Sequence, residues 1–203
     1  MYLDYDQAWK LLVSVRLAAQ CTDERVNKIV EVLYDKYPDV NALAEADVED
    51  IENIVRPCGL GKSKARDISA CMKILKEEYD GKVPDDFDAL LKLPGVGRKS
   101  ANLIMGDVFG KPAIVTDTHC IRLTNRIGLV DGIKEPKKVE MALWKIILRK
   151  KEVISVTVLS TMAGMCVQQG QNRIAINAAL MISVRKKDIE IMWERKAPVQ
   201  LCA

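Results

Sequence analysis

The sequence predicts an all-α protein, because apolar residues recur at helical spacing and the stretches between them end at strong helix-stop signals. Apolar side chains stand three or four residues apart in residues 11–15, 26–33 and 68–75. Such stretches are followed by Pro38 and by Gly81, which do not continue a helix. No segment alternates polar and apolar residues for long, so we expect short helices joined by tight turns.

Length and charge restrict the function classes. The 203 residues suffice for one substantial domain or two small ones, and the net charge of +3 is only mildly basic. Contact with nucleic acid would therefore need local clustering of cations rather than a global field. No basic leader precedes an apolar run, and no stretch approaches the roughly 18 apolar residues of a membrane span. We expect a cytoplasmic protein.

The cysteines are scattered, and no pair has the spacing of a CxxC ligand site or of a disulfide framework. We expect each of them to be a reduced thiol, buried as a small apolar side chain. Their spacing predicts no metal site. The six positions are Cys21, Cys58, Cys71, Cys120, Cys166 and Cys202.

A helix-hairpin-helix is predicted over about residues 86–108, where a short helix, a Pro-Gly-Val-Gly turn and a second helix follow one another. The turn reads LPGVGRKSAN. Gly95 and Gly97 would let the backbone turn sharply and leave N–H groups uncovered for a phosphate. The side chains of Arg98 and Ser100 would add contacts to the same nucleic-acid backbone. The alternative is a plain turn between two antiparallel helices.

Lys99 lies at the start of the second helix of this hairpin. Neighbouring cations and partial desolvation would favour its neutral amine, which can attack a carbonyl-like carbon. The alternative for Lys99 taken alone is a solvated surface lysine.

A second candidate element is VTDTH, in which Asp117 stands at the start of a predicted helix. An aspartate at this position is most often an N-cap. The functional alternative is a carboxylate that stabilises positive charge on a sugar ring or relays a proton to the lysine. His119, the one histidine of the sequence, is either a DNA contact or a satisfied structural residue.

Four stretches resemble the endonuclease III branch of the helix-hairpin-helix (HhH-GPD) DNA glycosylases. They are RLAAQCTDERVN, RPCGLGKSKARDI, LPGVGRKSAN and VTDTHCIRLTNRIG, in that order. The resemblance implies a bifunctional enzyme that excises oxidised pyrimidines from duplex DNA and then cleaves the strand by β-elimination. It also implies two helical domains, a six-helix domain at 1–111 and a second domain at 112–203, flanking a DNA-binding cleft.

By motif, Lys99 matches the nucleophile that forms a Schiff base at the sugar C1′, and Asp117 matches the assisting carboxylate. Gln20 matches a residue that fills the space left by the flipped nucleotide, and Leu60 matches an intercalating wedge. The implied partner is double-stranded DNA with a damaged base or an abasic site. The implied protein is a monomer of bacterial type, associated with the nucleoid.

The resemblance covers about residues 8–151 and then stops. Members of the family end in a four-cysteine loop that holds a [4Fe–4S] cluster and follows a His-Gly-Arg stretch, and four thiolates are the usual requirement. This chain has only Cys166 in that region. The resemblance therefore implies a [4Fe–4S] cofactor, but this chain lacks the four-cysteine motif that would bind it. We expect the iron–sulfur region of the second domain to be incomplete and the sequence to be aberrant after about residue 153.

A shifted reading frame supplies the missing motif. When the third base of each codon is read with the first two bases of the next, codon choices exist that give His-Gly-Arg at positions 162 to 164 and cysteine at 167, 175, 178 and 184. The single methionine codon forces glycine after Met162, valine after Met165 and aspartate after Met181. We hypothesise a one-base deletion near residues 150–153. The alternative to the deletion is a family member with a diverged tail. The alternative to the enzyme is a non-catalytic helix-hairpin-helix DNA-binding remnant of the frameshifted gene.

Overall fold

The all-α prediction is confirmed for the part of the chain that the structure describes. The computed structural model describes residues 3–126 and 128–150, and these ranges contain helices and turns without a strand. Within them no helix is long and apolar enough to cross a membrane. The predicted aberrant tail after about residue 153 lies outside the described residues.

The chain divides into two compact units, Met1–Val115 and a second unit that begins at Thr116. The boundary between the units lies four residues after the predicted one. The assignment of two functional domains stays a prediction. The first unit contains seven α-helices and a one-turn 3₁₀ helix, Arg56–Cys58. The helices are α1 (Ala8–Leu17), α2 (Asp23–Lys36), α3 (Val40–Glu45), α4 (Val48–Val55), α5 (Gly61–Glu78), α6 (Phe87–Lys92) and α7 (Arg98–Asp107).

The six-helix expectation missed α3. This helix has six residues, fewer than two full turns, and it starts two residues after Pro38. The side chain of Asp39 caps it by accepting a hydrogen bond from the Ala42 N–H at 2.8 Å. An Asp followed by apolar residues is the signal that identifies this start.

The core of the first unit forms around α5, which packs against α1, α3 and α4. All seven helices contribute side chains that are almost inaccessible to solvent. Examples are Leu11 and Leu17 of α1, Leu33 of α2, Leu43 of α3, Ile51 of α4, Ile68 and Met72 of α5, Leu90 of α6 and Ile104 of α7. Loops between these helices are thereby held on a rigid scaffold.

The predicted helix-hairpin-helix is present as α6, a turn, and α7. Asp86 caps α6 by accepting from the Ala89 N–H at 2.8 Å. The two helices end and begin within one or two residues of the predicted bounds, because glycine and proline mark the turn.

The second unit contains α8 (Thr118–Arg126) and α9 (Pro136–Lys150). Its described core includes Cys120, Val130, Val139 and Leu143. Helix α9 begins at Pro136, since a proline is favourable in the first turn of a helix.

Candidate nucleic-acid interface

The hairpin turn leaves backbone N–H groups at the start of α7 without an intrahelical partner. Gly97 is the N-cap residue and has no side chain that could accept from them. The positive end of the helix dipole lies at the same point, and this favours an anion. The turn is closed by a hydrogen bond from the Val96 N–H to the Leu93 carbonyl at 3.1 Å.

The two turn glycines are required for different reasons. Gly95 has a φ of +75°, and a Cβ added there would lie 2.8 Å from Cδ of Arg16 and 3.0 Å from Cβ of Asp67. Arg16 cannot easily move, because its Nη2 pairs with the Asp67 carboxylate at 2.6 Å and its Nε donates to the same oxygen at 2.8 Å. Gly95 is therefore the contact between the hairpin and the α1–α5 pair.

Gly97, in contrast, has an ordinary φ of −92°, and a Cβ added there would meet no atom within 4 Å. The fold thus tolerates a side chain at this position. Open space beside uncovered N–H groups is what the approach of a phosphate needs.

Arg98 contacts an aromatic ring of the other helix of the hairpin. Its guanidinium stacks over the ring of Phe87 with Cζ 4.9 Å from the ring centroid, which braces the first helix of the hairpin against the second. Arg98 and Ser100 are both half-buried. Their contact with DNA stays a prediction.

Lys99 is exposed at the second residue of α7. The sequence led us to expect a partly desolvated Lys99. The described residues do not bury it, so that expectation was wrong. Exposure leaves the Nζ atom accessible to a ligand as large as a nucleic acid.

Gln20 and Leu60 share an unusual backbone geometry. Their φ angles are +58° and +53°, in the left-handed region that residues other than glycine rarely adopt. Both are exposed, and the leucine exposes 55% of its surface. Strained residues of this kind persist where the surrounding structure holds them, and they concentrate at ligand contacts.

Asp117 is the N-cap of α8, which is the structural role that the sequence allowed for it. Its Oδ1 accepts from the Cys120 N–H at 2.7 Å. A carboxylate has a second oxygen, so capping does not exclude a role in chemistry. His119 is half-buried, with its Nδ1 3.4 Å from Nη2 of Arg122. The structure therefore gives His119 a neighbour on its own helix, and its contact with DNA stays a prediction.

The second unit also has a basic depression of about 600 Å³ that begins beside Thr118, directly after Asp117. Its lining includes Arg122, Arg126 and Lys134. Cations grouped in this way are favourable for a phosphate backbone.

A protein-family model described as "HhH-GPD superfamily base excision DNA repair protein" matches residues 13–149. The chain belongs to this superfamily. The HhH-GPD match includes both turn glycines, Lys99 and Asp117, and it ends at the last helix that the structure describes.

Relatives of this HhH-GPD chain are named endonuclease III. The Synechocystis protein of that name is 48% identical over 147 residues, which are 71% of this chain and 66% of the relative. This chain thus spans about two thirds of the length of that protein. Two solved structures, a non-covalent endonuclease III–DNA complex and a trapped endonuclease III–DNA covalent intermediate, each have a TM-score of 0.70 and 40% identity, and the likeness covers 76% of this chain and 72% of theirs. The predicted glycosylase fold class is confirmed.

Substitutions at the two turn glycines should separate folding from DNA binding. Gly95→Ala should lower the free energy of unfolding by about 1–3 kcal/mol, because it forces a positive φ and a clash with the Arg16–Asp67 pair. Gly97→Ser should leave stability unchanged or slightly raised, because serine is a good N-cap. It should nevertheless weaken duplex DNA binding by at least about tenfold, since its hydroxyl takes the N–H groups that a phosphate would use.

Thermal unfolding and fluorescence anisotropy with a labelled duplex at two salt concentrations measure both effects. A Gly97→Ser protein that binds duplex DNA like the unsubstituted chain would contradict the assignment of this turn to phosphate.

Proposed function

We propose that this chain is a bifunctional DNA glycosylase and abasic-site lyase that uses Lys99 as its nucleophile. The observation that carries the proposal is an exposed lysine at the start of α7, beside an uncapped helix N-terminus, in a chain of the HhH-GPD superfamily. The substrate class is an oxidised pyrimidine or an abasic site in double-stranded DNA. The solved structure of a trapped endonuclease III–DNA covalent intermediate supports covalent chemistry for this group of relatives.

In the proposed reaction the target nucleotide leaves the base stack, and the Lys99 amine, once it has lost a proton, attacks the sugar C1′. A nitrogen–carbon bond forms, the N-glycosidic bond breaks, and the base departs with a proton. Opening of the sugar ring gives a Schiff base, which acidifies the C2′ proton. Loss of that proton breaks the bond between C3′ and the phosphate oxygen and cleaves the strand.

Asp117 assists this reaction in the proposal. Its carboxylate stabilises the positive charge that develops on the sugar. The hydrogen bond from the Cys120 N–H holds this carboxylate in place. Gly95, Gly97, Arg98 and Ser100 position the DNA backbone at the hairpin.

Gln20 and Leu60 enter the duplex and occupy the space that the flipped nucleotide vacates. Their exposure and their strained backbone support this role. The protein acts as a monomer in the bacterial cytoplasm on nucleoid DNA, and His119 adds a DNA contact. The match of these residues to the motif positions of the family supports the proposed DNA contacts.

The thiols of this chain do not fit the [4Fe–4S] cluster that endonuclease III proteins usually carry. Such a cluster needs four cysteine thiolates. Cys58, Cys71 and Cys120 are buried on separate elements, and no group of three or more metal-ligating side chains exists among residues 3–126 and 128–150. Only Cys166 and Cys202 follow Lys150. We therefore propose no step that uses a cluster.

Strand cleavage by matched lysine variants tests the proposed chemistry. Lys99→Ala should abolish cleavage of a duplex with one abasic site, because no other group replaces the nucleophile. Lys92→Ala is the control, since Lys92 is an exposed lysine at the end of α6 in the same hairpin. It should cleave like the unsubstituted chain.

Asp117→Asn should reduce cleavage by about 10²- to 10⁴-fold while α8 remains capped, because asparagine is an equally good N-cap. DNA binding by anisotropy is measured beside cleavage for each protein. Binding without cleavage by the unsubstituted chain would overturn the enzyme assignment in favour of a DNA-binding module.

The nucleotide sequence of the gene tests the shifted frame. Read one frame over from about residue 153, it should encode cysteine at shifted positions 167, 175, 178 and 184. Restoring that frame should give a protein with the brown absorbance and bound iron of an iron–sulfur protein. Codons incompatible with cysteine at these four positions would contradict the deletion and favour a diverged tail.

A further inference from the structure

Lys64 is a buried cation whose hydrogen-bonding capacity is fully used by the backbone. It lies in the first turn of α5, and its exposed fraction is 0%. The Nζ atom donates to the carbonyl oxygens of Leu17 at 2.8 Å, Ala19 at 2.8 Å and Cys58 at 2.9 Å. An ammonium has three N–H donors, so each of them has a partner.

These carbonyls belong to the end of α1 and to the segments that carry Gln20 and Leu60, two of the strained residues. Leu17 is the last residue of α1, and Ala19 directly precedes Gln20. Cys58 ends the 3₁₀ helix and is followed by Gly59, with a φ of +74°, and by Leu60. One ammonium therefore joins the backbone of the Gln20 loop to the backbone of the Leu60 loop.

Burying the Lys64 ammonium is energetically unfavourable, because its three hydrogen-bond partners are neutral carbonyls. Burial lowers the pKa of Lys64, which shows that the environment disfavours the cation, while the nearby Cys58 and Cys21 thiols oppose the shift and Arg16 adds to it. An apolar side chain of similar length would avoid this cost but leave three buried carbonyls without a donor. What the cation supplies, and an apolar side chain lacks, is a fixed geometry between the two loops.

We propose that Lys64 is a positioning residue that fixes the spacing between Gln20 and Leu60, so that both side chains enter a damaged duplex as one unit. This inference rests on the proposed function of those two residues. Lys64 itself does not touch the DNA in the proposal, since it is fully buried. The effect on DNA passes through the two loop backbones that it holds.

The test measures insertion directly on a duplex that cannot be cleaved. The duplex contains a tetrahydrofuran abasic analogue opposite 2-aminopurine, whose fluorescence reports displacement of the base that faces the lesion. Lys64→Met removes all three donors, Lys64→Gln keeps two, and Lys73→Met is the control because Lys73 is exposed on the same helix.

We expect Lys64→Met and Lys64→Gln to lose about 10- to 100-fold in affinity for this duplex and to lose the fluorescence change. Lys73→Met should behave like the unsubstituted chain. Thermal unfolding identifies variants that remain folded, and Lys64→Gln provides the test if Lys64→Met does not fold. A folded Lys64→Gln protein with unchanged affinity and fluorescence would overturn the proposal.

A double-mutant cycle separates positioning from general destabilisation. If Lys64 acts through the loops, adding Leu60→Ala to Lys64→Gln should change affinity by no more than about twofold beyond the single variants, whereas independent effects would multiply. Multiplying effects would overturn the proposal. If the unsubstituted chain gives the fluorescence change of insertion but does not cleave abasic DNA, the lyase assignment is refuted and the role of Lys64 is unaffected.

Discussion

The ion pair between Arg16 and Asp67 is the interaction on which the arrangement of the first unit depends. It joins α1 to α5, and the Gly95 turn of the hairpin packs directly on it. Partial burial of both side chains makes such a pair less sensitive to salt than a surface pair. The hairpin can approach this closely only because residue 95 has no Cβ.

The same two helices hold the other loops that are assigned to DNA. Leu17 follows Arg16 at the end of α1, and Lys64 lies one turn before Asp67 on α5. Polar contacts between α1 and α5, including the Arg16–Asp67 ion pair and the hydrogen bond from the Lys64 ammonium to the Leu17 carbonyl, therefore set the positions of the hairpin turn and of the Gln20 and Leu60 loops. Catalytic and binding residues on loops need such a rigid support, because small displacements reduce rates strongly.

Local features of this structure could be predicted from the sequence, and long-range ones could not. Glycine and proline define the hairpin within one or two residues, and Asp117 caps α8 because capping involves only its next three residues. Helix α3 was not predicted, whereas α6, which also has six residues, was predicted because a Pro-Gly-Val-Gly turn marks its end. The residues that match the family were found through motifs, which carry information that spacing alone does not contain.

The partners of charged side chains are where sequence reasoning failed. Arg98 stacks on Phe87, eleven positions away, and Lys64 reaches carbonyls 47, 45 and 6 residues away. In the sequence these residues are ordinary cations beside a turn. Packing between helices decides whether such a cation contacts a ring, a carbonyl or solvent. Of Arg98, Lys64 and Lys99, the fold leaves Lys99 exposed.

Borohydride reduction of the protein on a duplex with one abasic site, followed by peptide mapping, tests the central claim most directly. Reduction converts a Schiff base into a stable covalent bond, so the modified peptide identifies the attacking amine. We expect a single adduct, on the peptide that contains Lys99. An adduct on another amine, or none while DNA is bound, would contradict the assignment of Lys99 as the nucleophile.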